Sequence, residues 1–347
     1  MRTYVAFLIF IFCCYGLFAR QVFQEEEVDF VKSLLPVCKG EETYKLEVIA
    51  FFTPLPYEGF KYPQDYPYSF IIQVWGESGE AIDATDAIYI GKKGRIYILD
   101  GWIDRCQWIR IYDSEGNACG TIVTQNWKPE WGKPQKILYI EPEKKIYVKY
   151  RGKIVKILWD GECSLVGKVE ENKLRYTGED MKERLILEKA MIKNVRIIGL
   201  NEEPEFLYMD KKRHILYLEN SKGNAKDSVF IPFCLFPASL QKVKEAFQKF
   251  KETGKVNTAV IDIIPIGKDK EKNVYLYVKC ALGNNKVVKL SPSGEITCEI
   301  SPLYKKTEYK IGDWVVDKDG NLYTLIFWRK ERELGGALVK YKKESQK

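Results

Sequence analysis

The sequence predicts an all-β fold assembled from one repeated supersecondary unit, on three observations. A phrase of hydrophobic strand, polar turn and apolar-Tyr step recurs along the chain. Around the copies, apolar and polar residues alternate with period two and are bounded by Gly, Asp, Asn and Pro. This is the pattern of half-buried strands joined by tight turns. Helical periodicity is scarce, which excludes a helix bundle. Repetition at this spacing marks architectures in which each unit buries its apolar face against the next.

The first element in the chain is residues 1–19. Arg2 is its only charged side chain, and an apolar run extends from Tyr4 to Phe18. The run is shorter than the roughly 20 residues of a membrane span and fits the h-region of a signal peptide, with cleavage after Ala19. An uncleaved membrane anchor is the competing reading. Both make the protein exported, either periplasmic or extracellular, or held at a membrane by its N-terminal segment. Phe12 precedes Cys13 where a lipoprotein signal carries a small residue, so lipidation is not expected. Residues 20–43 follow as an N-terminal segment, and residues 44–347 form the repeat domain.

The phrase occupies residues 88–97, 139–147, 208–217, 266–275 and 316–323. The residues just before each apolar-Tyr step are Arg95, Lys145, His214, Asn273 and Asn321, at intervals of 50, 69, 59 and 48. Such intervals fit one four-stranded blade per repeat with room for insertions. A second phrase, an alternating strand running into a Gly-bearing turn, covers residues 108–116, 154–161 and 287–294. The third repeat has no clean copy, and residues 70–79 carry the second phrase without a first. The last copy, residues 337–341, precedes the chain end by too little for a final strand. An N-terminal strand, at residues 28–32 or 44–52, is therefore expected to close the ring. Radial repetition hides strand edges that an open sheet of this many strands would expose. The expected fold is a β-propeller, six blades of four antiparallel strands.

Residues 94–100 with 108–116, and residues 319–323 with 338–341, resemble the repeats of NHL-type and related six-bladed β-propellers. The resemblance covers most of the chain after about residue 68. It rests on a turn-and-packing signature, so it implies a fold and assigns no catalytic residue. Propellers of this kind include lactonases and other hydrolases that hold a central metal with acidic residues. The resemblance thus implies a second functional reading, a metal-dependent hydrolase working from the central channel. Asp86, Glu141, Asp210 and Asp262 are its candidates from the expected inner strands.

Composition narrows the classes. The net charge is +7, from 55 basic and 48 acidic residues interspersed along the chain. Nucleic-acid binding is not expected, because it requires clustered basic residues and an aromatic-basic grammar that is missing. The balance supports only peripheral attraction to anionic surfaces. Seven of the nine cysteines follow residue 19, no Cys-x-x-Cys spacing occurs, and His214 is the sole histidine. A zinc site with ordinary ligand spacing is therefore unsupported, and the cysteines within strands fit buried free thiols. Residues 317–321 resemble the start of a calcium loop, but the bidentate Glu required at position twelve falls on Trp328. No metal or cofactor is expected on these grounds. His214 sits in a repeat turn and is read as a turn residue.

The segments expected between strands on the face opposite the repeat turns are residues 53–68, 100–106, 125–134 and 328–333. They are rich in aromatics and carry arginine. Trp, Tyr and Arg dominate binding hot spots because they combine rigid contact area with a polar handle. Trp102, Arg105, Trp127, Trp131, Trp328 and Arg329 are thus candidates for a shared recognition surface for a protein, peptide or glycan. The competing reading is that these rings pack the loops onto blade edges. Trp75, Trp159 and Trp314 follow the strand pattern and are read as packing.

One segment, residues 238–252, breaks the β pattern. Leu240, Val243, Phe247 and Phe250 fall on one helical face, with Ser239 as N-cap. Lys242, Lys244, Lys249 and Lys251 occupy other faces. Such a helix either covers the propeller's own surface, the reading preferred here for its short apolar stripe, or docks on a membrane or partner.

Overall fold

The computed structural model describes residues 36–52 and 88–344, apart from short stretches within the latter and residue 41. Strands β1 (Pro36–Gly40) and β2 (Tyr44–Phe52) come first in the chain and join the last two blades. Blade 1 is built from β3 (Ile88–Ile90), β4 (Ile96–Ile103), β5 (Cys106–Tyr112) and β6 (Ala118–Val123). Blade 2 is built from β7 (Pro134–Glu141), β8 (Lys145–Tyr150), β9 (Lys153–Leu158) and β10 (Cys163–Glu170), with β11 (Lys173–Tyr176) as a fifth, outer strand. Helix α1 (Met181–Ala190) then leads to blade 3, with β12 (Val195–Ile198), β13 (Glu205–Asp210), β14 (Ile215–Glu219) and β15 (Ala225–Phe230). After helix α2 (Leu240–Thr253) comes blade 4, with β16 (Val260–Lys268), β17 (Val274–Cys280), β18 (Lys286–Leu290) and β19 (Ile296–Pro302), edged by β1. Blade 5 holds β20 (Tyr309–Val316), β21 (Leu322–Lys330) and β22 (Glu333–Lys343), and β2 supplies its fourth strand. All strand pairs are antiparallel.

The blades form a β-propeller of five sheets rather than six. Inner strand β20 of blade 5 lies directly against inner strand β3 of blade 1. Among the described residues no sixth sheet separates them; residues 70–79, which carry a copy of the second phrase, fall between these blades in sequence. Residues 53–87 lie outside the described residues. Ring closure follows the expectation for residues 44–52, whose register runs from Tyr44 opposite Lys343 to Phe52 opposite Gly336. The alternative closing segment, residues 28–32, is outside the described residues.

In blades 4 and 5 the repeat phrase folds as one hydrogen-bonded unit. In blade 5, Asp317 Oδ1 accepts from the Asp319 and Asn321 N–H groups, and Oδ2 accepts from Asn321 Nδ2 and the Tyr323 hydroxyl at 2.8 and 3.0 Å. Asp269, Asn273 and Tyr275 repeat the arrangement in blade 4. In blades 4 and 5 the Tyr of the apolar-Tyr step is therefore buried with its hydroxyl satisfied by the turn's own carboxylate. Lys340 and Lys289, from the third strands, each stand 5.6 Å from the centre of those rings, within the range of a cation–π contact.

The second phrase locks neighbouring blades together. Gly161, with φ +93°, brings its turn so close to blade 1 that a Cβ would lie 2.0 Å from the Val123 carbonyl oxygen. Gly294, with φ +89°, meets Phe230 of blade 3 in the same way, at 2.5 Å. A side chain at either place faces both backbone strain and a clash.

Blade 3 departs from the pattern. Its copy of the first phrase joins the second and third strands, β13 and β14, instead of the first and second. Strand β12 takes the inner place beside β16. The interval of 69 residues is explained by β11, α1 and β12 lying ahead of the turn. Asp210 is thereby moved from an expected inner strand to a second strand.

Among the described residues two α-helices are present where one was expected. Asp180 caps α1 by accepting from the Lys182 and Glu183 N–H groups, and Ile186, Leu187 and Ala190 pack with Val195 and Phe206 of blade 3 and Tyr147 of blade 2. Helix α2 begins as the sequence indicates, with Ser239 Oγ accepting from the Lys242 N–H at 3.3 Å.

Candidate functional site

Two places in a propeller offer themselves for chemistry, the axis and the loop face. The axis is lined by Tyr89 and Ile90 of blade 1, Arg196 to Ile198 of blade 3, Ile266 and Gly267 of blade 4, and Val315 and Val316 of blade 5. The space between them is about 20 Å³, room for about one water molecule. Arg196 on β12 reaches past blade 4 to blade 5, where Nη2 donates to Asp313 Oδ2 and to the Trp314 carbonyl oxygen, the latter at 3.1 Å. Both charged residues are buried. The ion pair spans non-adjacent blades and joins them at the centre.

The described acidic candidates do not gather there. Glu141 ends β7 in ion pairs with Lys144 and Lys145, at 2.9 and 3.4 Å. Those lysines outweigh the upward effect of burial and hold its carboxyl below the usual carboxylate range. Asp210 accepts from the Lys212 and Arg213 N–H groups in its own turn, and Asp262 bonds the N–H of the next residue. Asp86 lies outside the described residues. Among the described residues, no three His, Cys, Asp or Glu side chains come together in a metal-binding arrangement. His214 occupies its turn with φ 54° and stacks on Phe236 at 3.5 Å between ring centres, as a turn residue would.

The described cysteines Cys38, Cys119, Cys163, Cys234, Cys280 and Cys298 are free thiols. Burial pushes Cys163 and Cys298 up to about 12, so neither is a thiolate nucleophile at neutral pH.

The aromatic loop candidates divide. Trp127 and Trp131 are buried in the core shared by blades 1, 2 and 5, and Trp131 packs against Tyr150 at 6.3 Å. These two rings take the packing role and do not reach a binding surface. Trp314 is likewise buried, between Tyr341 and Tyr277, and Trp159 meets Tyr97 edge-on at 6.3 Å. Trp102 and Trp328 belong to a different setting. Trp102 pairs with Gln107 in the β4–β5 hairpin, and Trp328 pairs with Gly335 in the β21–β22 hairpin, with Arg329 beside it opposite Leu334. Both are second-to-third-strand hairpins of adjacent blades, at the end of the ring opposite the Asp turns. Arg105 itself lies outside the described residues.

Sequence reasoning missed Arg196 and Asp313, which sit in apolar inner strands without a motif. Their signal is a charge inside an otherwise buried strand, since such charges are paired when buried.

No family model matches the chain, and no curated protein matches it. Among solved structures, the chain is similar to a member of the duf4221 family from Bacteroides vulgatus, with 9% identity, a TM-score of 0.44, and coverage of 90% of this chain and 99% of that one. It is also similar to Kluyveromyces lactis Hsv2, with 9% identity, a TM-score of 0.31, and coverage of 77% and 88%. A protein of unknown function from Bacteroides caccae has 9% identity, a TM-score of 0.28 and coverage of 69% of each chain. The propeller assignment stands on the sheets described above, and these likenesses add nothing about what the chain does.

Proposed function

We propose that this propeller is an exported, non-enzymatic binding protein that recognises a protein, peptide or glycan through the hairpin face of blades 5 and 1. The observation that carries the reading is the placement of Trp102 and the Trp328–Arg329 pair on adjacent second-to-third-strand hairpins. Arg105 completes the set by sequence. Aromatic and Arg residues clustered on a rigid scaffold provide contact area with little ordering entropy to lose. The alternative, hydrolysis at a central metal, finds no acidic convergence among the described residues to support it. Export rests on the apolar run from Tyr4 to Phe18, and the NHL-like repeat type rests on the turn sequences alone.

The test is a screen of defined oligosaccharides and displayed peptides against the wild type and a Trp102→Ala/Trp328→Ala variant. The reading expects the wild type to retain ligands that the variant loses by about tenfold or more, with unchanged thermal unfolding. Equal retention by both proteins, or turnover of a retained ligand, would overturn it.

A further inference from the structure

Helix α2 was expected to lay its apolar stripe on the propeller, and it does not. Ala246 is its one buried residue among those described. Leu240 is 72% exposed, Phe247 44% and Phe250 38%. At about 100° per residue, Leu240, Val243, Phe247 and Phe250 fall within an arc of about 80°. Ala246 lies just beyond the Phe250 edge of that arc, so the helix rests on one shoulder and leaves Leu240, Phe247 and Phe250 exposed on its flank with Val243 half-buried. The connection leading into α2 adds Phe233, 84% exposed, and the start of β16 adds Ile261, 49% exposed.

Two of the four lysines, Lys242 and Lys249, share the far side of the helix with its glutamates. Lys244 and Lys251 border the Leu240 edge of the stripe. Glu245 and Glu252 fall on the opposite side of the helix, where each accepts a hydrogen bond from the glutamine four residues earlier. The exposed apolar flank therefore has a lysine margin on its Leu240 side, and Glu245 and Glu252 lie on the other side of the helix.

Position adds a third observation. The Ala238 N–H donates to the Val260 carbonyl oxygen at 2.7 Å, which fixes the start of α2 to the end of blade 4 where β16 begins. Pro36, the first residue of β1, stands opposite Pro302 at that same end of the sheet. The segment preceding β1, with its apolar run from Tyr4 to Phe18, thus joins the propeller at the end that carries α2.

We infer that α2 is a peripheral docking element for an anionic lipid bilayer, with Leu240 and Phe247 entering the headgroup–acyl boundary and Lys244 and Lys251 meeting lipid phosphates. A helix with an exposed apolar arc, a basic margin and remote carboxylates has the composition of an interfacial helix, and basic residues beside a bilayer gain from its negative surface potential. The stripe is convex, so it suits a deformable interface. A second copy seated on the same stripe would bring like-charged lysine margins together.

The test is vesicle flotation of the full chain with pure phosphatidylcholine and with equal parts phosphatidylcholine and phosphatidylglycerol. A Leu240→Ser/Phe247→Ser variant and a Lys244→Gln/Lys251→Gln variant are compared with wild type. All three carry the same N terminus, so any capture through residues 4–18 is common to them. The inference expects the wild type to bind the anionic vesicles about tenfold more than either variant does. The excess should vanish at about 1 M salt, where the Debye length falls to about 3 Å. Circular dichroism and thermal unfolding of the variants should match the wild type, since the substituted side chains are largely exposed. Equal flotation of wild type and variants, or wild-type binding indifferent to lipid charge, would overturn the inference. Loss of a concentration-dependent dimer in the variants would overturn it in favour of self-association.

Discussion

At the scale of single residues, buried charge explains most of what is distinctive. Removing one partner of a buried ion pair leaves the other charge uncompensated, which costs about 3–5 kcal/mol. Arg196→Met is therefore expected to lower unfolding stability by about 3 kcal/mol in urea titration, and Arg196→Met/Asp313→Leu to recover much of the loss. A double variant as unstable as the single would show that packing, not charge, holds the axis. Glu42 makes a second such knot, with Lys289 and Lys343 at 2.7 and 3.0 Å. Burial pushes its carboxyl up, but the two lysines prevail and hold it below the ordinary glutamate value. A carboxyl depressed in the folded state stabilises the fold above its unfolded value of about 4.3 and loses that contribution as pH falls through the folded one. Wild type is thus expected to lose melting temperature below about pH 4.3 more steeply than Glu42→Gln. Parallel acid limbs in the two proteins would remove Glu42 from the account.

At the scale of elements, the Asp turn is the recurring device. Asp317→Ala removes the acceptor for Asp319, Asn321 and Tyr323 together, leaving a buried phenol unsatisfied. A loss of about 2 kcal/mol is expected by chemical denaturation. Asp113 serves only its own exposed turn, so Asp113→Ala should cost clearly less. Similar losses at both sites would mean that the Tyr hydroxyl contributes nothing. The turns themselves were legible in the sequence through Gly, Asn and Tyr, because local chemistry dictates them. Helix α1 was not, although Asp180 followed by Glu183 is a capping pattern. Its ten residues show a short apolar face that does not outweigh the surrounding strand signal. The tryptophans divide for the same reason. Trp127 and Trp131 are loop residues by sequence, and only tertiary packing sends their rings inward.

At the scale of the whole molecule, the propeller architecture was readable because five copies of one phrase survive insertions. The blade number was not, since residues 70–79 carry half a repeat in sequence and blade 3 carries its copy one strand late. Counting phrases measures sequence, whereas the contact between β20 and β3 measures closure. The N-terminal segment does more than close the ring, because β1 edges blade 4 and β2 completes blade 5, so residues 36–52 hold the two blades together. Closure of the ring brings Arg196 of blade 3 and Asp313 of blade 5 together at the axis. The pairing of β2 with β22 is the step on which this rests, and Lys45 stands opposite Lys342 across it, both exposed. Directly opposite strand residues lie about 4.5–5.5 Å apart at Cα, within the reach of a disulfide. The decisive measurement is oxidation of a Lys45→Cys/Lys342→Cys variant, read as mobility on a non-reducing gel. A compact, faster-migrating monomer that reverts on reduction is the result the closed five-bladed ring predicts, and failure of the two cysteines to link within the folded monomer would contradict it.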